Sequence, residues 1–124
     1  MIKSGNFKLK KVLKNRGLYC SIDFEVELNE MKSNNLIFKY EADNQWETAS
    51  RLGGMIFYDY FLKKSNIEMS VTIKNIDWMP VDTNNGIIFY SVLKGLSEIL
   101  SYPINDLEID IEKESFIIPE LRAI

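Results

Sequence analysis

From Ser21 to Leu28 the chain alternates. Ile22, Phe24, Val26 and Leu28 fall on one side, with Asp23, Glu25 and Glu27 on the other. That period of two predicts a half-buried strand with an acidic outer face. Leu107 to Glu112 repeats the pattern, with Glu108, Asp110 and Glu112 facing out. A third strand is expected over Leu36 to Glu41, after the polar turn Lys32 to Asn35. A fourth is expected from Glu68 to about Asp77, with Met69, Val71 and Ile73 inward and Ser70, Thr72 and Lys74 outward. Steps of three and four predict two helices. One runs from Trp46 to Lys64 with Ala49, Leu52, Ile56 and Tyr60 as its stripe. The other runs from about Asn84 to Leu100 on Phe89, Leu93, Leu96 and Leu100, widened by Val92 and Ile99, and Tyr102-Pro103 stops it.

The opening segment changes the electrostatic picture. Its first sixteen residues hold Lys3, Lys8, Lys10, Lys11, Lys14, Arg16 and no acid, a charge of +6 against −9 for the remainder. A free basic arm suggests nucleic acid or an anionic surface. The expected arrangement is instead a hairpin turning at Arg16-Gly17. It sets Lys10 opposite Asp23 and Lys8 opposite Glu25 on one face, Leu9 opposite Phe24 and Phe7 opposite Val26 on the other. Lys11 falls on the apolar face, which a bulge there would repair. The order strand, strand, strand, helix, strand, helix, strand then predicts a two-layer α+β domain over residues 1–124. It is a mixed four- to five-stranded sheet with two helices on one face, the opposite face charged.

Composition narrows the chemistry. A chain of 124 residues, 46% hydrophobic and 12% aromatic, can bury a core without metals or disulfides. Histidine is absent and Cys20 is the single cysteine. This removes Ser-His-Asp triads, Cys-His pairs, histidine and thiolate zinc sites, and the usual neutral-pH general base. Neither nucleotide-binding glycine loop occurs. A lone cysteine suits a reducing cytosol. No apolar run is long enough to span a bilayer, and the N-terminus has no signal-peptide pattern, so a cytoplasmic protein without membrane segment or cofactor is expected.

Chemically varied residues gather in Asp77 to Gly86, "DWMPVDTNNG". Pro80 ends the strand, and Asp82 or Thr83 is expected to cap the following helix. The same helix end, with free N–H groups, suits an anion, although a carboxylate at Asp82 would already occupy that position. Trp78, Pro80, Asp82, Thr83, Asn84 and Asn85 are the candidate binding residues of this stretch. Glu25, Glu108 and Asp110 represent the acidic sheet face, a docking surface for a basic partner. Same-face carboxylates lie roughly 7 Å apart along a strand, too far to share a metal ion. Gly53-Gly54 would cost the first helix about 2 kcal/mol relative to alanine, which predicts close packing there. Trp46 and Trp78 are expected at the core or its edge. In "MIFYDYF", Met55 to Phe61, Phe57 and Tyr58 cannot share a stripe with Ile56 and Tyr60.

Val71 to Leu100, "VTIKNIDWMPVDTNNGIIFYSVLKGLSEIL", resembles part of domain IV of translation elongation factor G. There a strand leads through a turn with a Pro-Val-Asp-Ser-type motif into a helix, and Pro80, Val81, Asp82 and Thr83 occupy those places here. The preceding helix, with Gly54 near its middle, and the strand after Ile67 are similar too. Met79 stands where the family usually has histidine, and Asn85 where it often has glutamate. The family's glycine-rich loop and GTPase domain have no counterpart. The resemblance covers about half the chain. It implies a ribosomal-protein-S5-domain-2-like α+β fold and a partner among RNA, the ribosome or a protein. The expectation is therefore a non-enzymatic cytosolic interaction domain. The alternative is a small protein-binding inhibitor or immunity-type protein acting through the acidic sheet face. A carboxylate-based enzyme using Asp82, Tyr or Lys ranks last.

Overall fold

The structure, a computed structural model, describes residues 2–12, 17–29, 35–62, 67–102, 104, 108–110 and 115–117. Strands β1 (Ile2–Val12), β2 (Gly17–Asn29) and β3 (Leu36–Tyr40) are followed by a 3-10 turn (Asn44–Trp46) and helix α1 (Glu47–Leu62). Strand β4 (Glu68–Trp78), helix α2 (Asn85–Ile99) and the short strands β5 (Glu108–Asp110) and β6 (Ser115–Ile117) complete the order. The main sheet has the order β1-β2-β4-β3. Its β1–β2 and β2–β4 pairs are antiparallel, and β3–β4 is parallel with α1 as the crossover. This is the mixed α+β architecture that the alternation and the helical stripes imply.

The apolar positions of the alternating strands build one wall of the core. Leu18, Cys20, Ile22, Phe24 and Val26 of β2 and Met69, Val71 and Ile73 of β4 are buried. The wall meets α2 across β1 and β2, and α1 across β3 and β4. Glycines permit the approach. A Cβ on Gly95 of α2 would stand 2.6 Å from the Phe24 ring and 2.9 Å from Phe7 Cβ. On Gly53 it would meet Val92 Cβ at 2.9 Å, and on Gly54 the Phe38 ring at 2.6 Å. The glycine pair therefore serves close packing, against α2 on one side and the sheet on the other. Gly53-Gly54 also marks the inward face of α1, where Ala49, Ser50, Phe57, Tyr58 and Phe61 are buried. The expected stripe is rotated: Leu52 is 49% exposed, while Ile56 and Tyr60 are half-buried. In a segment apolar nearly all round, closeness of backbones decides which face turns in.

The hairpin forms in a different register. Lys10 faces Tyr19, Lys8 faces Ser21, Leu9 faces Cys20 and Phe7 faces Ile22. Pairing continues to Val12↔Gly17, so Gly17 belongs to β2 and the connection falls in residues 13–16, outside the described residues. The offset from the expected register is four positions along β2. An even slip keeps every side chain on its expected face. It removes the expected Lys10–Asp23 and Lys8–Glu25 pairs. Lys11 needs no bulge, because it sits exposed near the strand end opposite Leu18. The irregularity lies between β2 and β4 instead, where Asp23 pairs Asn75 and Phe24 pairs Ile73, leaving Lys74 as the extra residue.

Two further expectations change. The last strand does not join the main sheet, since β5 pairs antiparallel with β6. Glu112 lies outside the described residues. Helix α2 ends before Tyr102: Ser101 adopts a left-handed conformation (φ 52°), with Tyr102 N–H donating to Ser97 O at 2.9 Å and Ser101 N–H to Glu98 O at 3.2 Å. That is a Schellman stop, so the helix is closed by its own last carbonyls. Tyr102 then packs edge-on to Phe57 and Phe61 and donates to Tyr60 O at 2.7 Å, tying the C-terminal ends of both helices.

Candidate functional site

The stretch from Asp77 to Gly86 is built as a clamp on β2. After β4 ends at Trp78, Met79 N–H donates to Thr83 Oγ1 (2.9 Å) and Thr83 N–H donates back to Met79 O (3.0 Å), closing the turn. Thr83 Oγ1 donates to Tyr19 O at 2.6 Å, and Tyr19 N–H donates to Asp82 O at 2.9 Å. Both backbone groups of Tyr19 are thus held by the turn, which extends the partnering of β2 beyond the end of β4. Helix α2 is capped by Asn84, whose side chain accepts from Ile87 N–H at 2.9 Å. Asp82 and Thr83 do not cap it. The Asp82 carbonyl and the Thr83 hydroxyl are spent on Tyr19, and with Asn85 as the first helical residue the cap position falls one place after Thr83 and two after Asp82. Trp78 is half-buried and packs edge-on to Trp46 at 5.4 Å. Pro80 and Asn85 are exposed, and Asp82 is half-buried beside Gly17, where a Cβ would meet Asp82 Oδ2 at 2.9 Å.

The outer face of β1 and β2 is divided by charge. One end carries Lys8 and Lys10 with Tyr19, and the other carries Asp23, Glu25 and Glu27. Between them Asn6 Nδ2 donates to Ser21 Oγ (2.9 Å) and Asp23 Oδ1 (2.8 Å), a neutral seam. Lys8 Nζ lies 5.9 Å from the centre of the Tyr19 ring. Among the described residues the salt bridges are Arg51–Glu47 (2.8 Å) and Lys74–Glu41 (3.2 Å). Lys3, Lys8, Lys10 and Lys11 thus have no carboxylate partner among those residues. All four lie on an edge strand, β1, that carries no acid, with Lys8 and Lys10 on its outer face and Lys3 and Lys11 at positions of the other parity. Glu25 lies opposite Ser4 and Thr72, whereas Glu108 and Asp110 belong to the separate β5–β6 pair. The two halves of the expected acidic surface therefore sit on different sheets.

One concavity of about 390 Å³ opens on the outer sheet face, lined by Ser4, Gly5, Phe24 and the ionisable side chains of Asp23, Glu25 and Lys74. A groove of about 460 Å³ beside β3 includes Leu36, Phe38, Met55, Arg51 and Asp59, with Arg51 bound to Glu47 and stacked 5.3 Å from the Phe38 ring. A second, about 450 Å³, lies between the N-terminal ends of α1 and α2, lined by Gln45, Thr48, Leu52, Asn85 and Phe89 among others, none of them ionisable. Burial holds the Cys20 thiol up at about 11, with the Ser91 hydroxyl lowering it slightly. It is an inert core side chain with 0% exposure. Tyr40 is pushed up to about 12 by burial and by the carboxylates of Asp43 and Glu47, with Ser50 opposing. No group of three His, Cys, Asp or Glu side chains among the described residues is placed to hold a metal ion. No helix among them is long and apolar enough to cross a membrane.

Tyr19 and Asn6 are the site residues that sequence reasoning passed over. Tyr19 shares the odd-numbered parity of Asp23 and Glu25, so extending the alternation two steps towards the N-terminus places it on the same face. The clamp that fixes it joins residues 64 positions apart, and no local pattern reports such a contact.

The fold and this surface define an α+β module with a charge-divided sheet face opposite its two helices. No protein-family model matches the chain, and no curated protein matches it. A solved structure from Thermus thermophilus, described as the crystal structure of ttk003000868, is similar in fold, with a TM-score of 0.57 at 14% identity. The match covers 74% of this chain and only 14% of that one, so the architecture recurs as a small part of a longer protein.

Proposed function

We propose that this chain is a non-enzymatic cytosolic binding module that presents the basic end of its β1–β2 hairpin to RNA. One observation carries the reading: Lys8 and Lys10 share the outer face of an edge strand with no acid, and the register leaves them without carboxylate partners among the described residues. Two unneutralised lysines side by side attract a polyanion and release its counterions on binding. The resemblance to domain IV of elongation factor G supports a ribosome-associated setting, and the lone, buried Cys20 suits a reducing compartment. The absence of histidine removes the usual neutral-pH general base, which favours binding over catalysis.

The experiment is RNA binding by fluorescence anisotropy across a salt series. Affinity should fall linearly on a log–log plot, and the double variant Lys8→Ala/Lys10→Ala should flatten the slope. A native protein with no measurable RNA affinity at low salt removes this reading.

A second reading rests on the other end of the same face. Asp23, Glu25 and Glu27 form an acidic strip without ion pairs among the described residues, as a small inhibitor of a basic protein would present. Capture of a basic protein that is lost on Glu25→Lys would favour it, and undiminished capture would dismiss the strip.

A further inference from the structure

We infer that the basic end of the sheet is a stacking platform for single-stranded RNA, with the Tyr19 ring receiving a base and Lys8 and Lys10 holding the flanking phosphates. The inference rests on the RNA reading above and adds to it the form of RNA and the residue that selects it. Lys10 lies directly across the strand pair from Tyr19, and Lys8 is the diagonal neighbour with its ammonium 5.9 Å from the ring centre. Successive same-face lysines on a strand stand roughly 7 Å apart. A half-exposed ring with one ammonium over it and a second lysine directly across the strand pair is the combination that binds single strands. The ring's π face takes any base, while the ammonium groups take the backbone.

Two features make Tyr19 more than a surface aromatic. Its backbone is pinned on both sides, N–H to Asp82 O (2.9 Å) and O to Thr83 Oγ1 (2.6 Å), so the ring's position is fixed before ligand arrives. Its phenol hydroxyl has no hydrogen-bond partner among the described residues, and stays available to a phosphate or a base edge. Toward the acidic end the platform stops early. Beyond Lys8, Asn6 is committed to Ser21 and Asp23, and the Asp23 carboxylate repels the next phosphate. A duplex keeps its bases stacked away from such a ring, and modules that read duplex RNA by shape span about 16 base pairs. A ring open to stacking therefore favours a splayed single strand.

The test compares a labelled oligouridine with a hairpin duplex of equal length in anisotropy titrations at low salt, using the native protein, Tyr19→Phe, Tyr19→Ala and Lys8→Ala/Lys10→Ala. The expected result is tighter binding of the single strand. Tyr19→Ala should lose at least about fivefold in affinity and Tyr19→Phe little. The lysine double variant should reduce the salt slope by about 1.4. Intermolecular NMR contacts between the Tyr19 ring and base protons supply a readout that a merely structural tyrosine would not give. Equal affinity for duplex and single strand overturns the platform while the RNA reading stands. So do absent ring–base contacts, or a folded Tyr19→Ala protein that binds like native. Failure to bind either RNA removes both. Polyglutamate binding as tightly as oligouridine shows that charge alone is read, and also overturns the platform.

Discussion

The Thr83 hydroxyl accepts from Met79 N–H and donates to Tyr19 O, so removing it leaves two backbone groups unpartnered at once. Thr83 is buried, and water cannot easily replace what is lost. Thr83→Val keeps the shape and deletes both bonds; urea unfolding should show a loss of about 2 kcal/mol, with Thr83→Ser close to native. The same substitution loosens Tyr19, so it should weaken RNA binding by more than its distance from solvent suggests. Cys20 supplies a second prediction at this scale. Its thiol ionises near 9 when free and at about 11 in the fold, because burial disfavours the thiolate. The folded state thus holds its proton more tightly than the unfolded chain. The associated stability is complete below pH 9 and is lost as pH rises from 9 to 11, at no more than about 1.4 kcal/mol per pH unit. In urea unfolding between about pH 8 and pH 11, Cys20→Ala should lose less stability than the native protein as pH rises. Parallel losses in the two proteins would show that the thiol is not the group responsible.

At the scale of elements, the helices are set by what their glycines admit. Gly95 of α2 faces the Phe24 ring, itself 2% exposed and without room to retreat, whereas Gly54 of α1 faces the half-buried edge of Phe38. Alanine gains about 1 kcal/mol in helix propensity at either place. At Gly95 the clash outweighs that gain, and Gly95→Ala should destabilise by about 2 kcal/mol in chemical unfolding. Gly54→Ala should cost less, because Phe38 can swing outward. The same packing explains what was legible in the chain. Strands β2 and β4 follow from alternation because the inward positions of each are buried, whereas β3, with half-buried inward positions, is announced by the polar turn before it. Helix α1 could be placed but not oriented, since Leu52, Ile56, Phe57 and Tyr58 make it apolar on most sides and only the glycine contacts choose among them. The N-cap was expected at Asp82 or Thr83 and falls instead at Asn84, which is an equally good cap. The choice fell to Asn84 because the other two are engaged by Tyr19, a contact distant in sequence.

Across the whole molecule, the hairpin shows why charge pairing was harder to read than fold. A slip of four residues leaves the period of two intact, so both registers satisfy the hydrophobic pattern and only the connection length distinguishes them. The candidate surface changed with it, from a neutralised face to one with a basic end, an acidic end and a seam at Asn6. Beneath that face the core is continuous. Helix α2 packs on β1, β2 and α1, and α1 on β3 and β4, so no strand or helix of the main layer has a separate interior. Such a core should unfold as a unit. The two tryptophans make this checkable, because Trp46 and Trp78 touch at 5.4 Å where α1 begins and β4 ends, whereas far-UV circular dichroism averages over all the elements. In a urea titration the fluorescence and dichroism transitions should superimpose, with one midpoint and an m-value of roughly 1–3 kcal/mol/M. A fluorescence transition that precedes the loss of dichroism would mean that the α1–β4 junction opens on its own. The clamp at Tyr19, which hangs from the end of β4, would then open with it, and the candidate surface would be a mobile feature rather than a fixed platform.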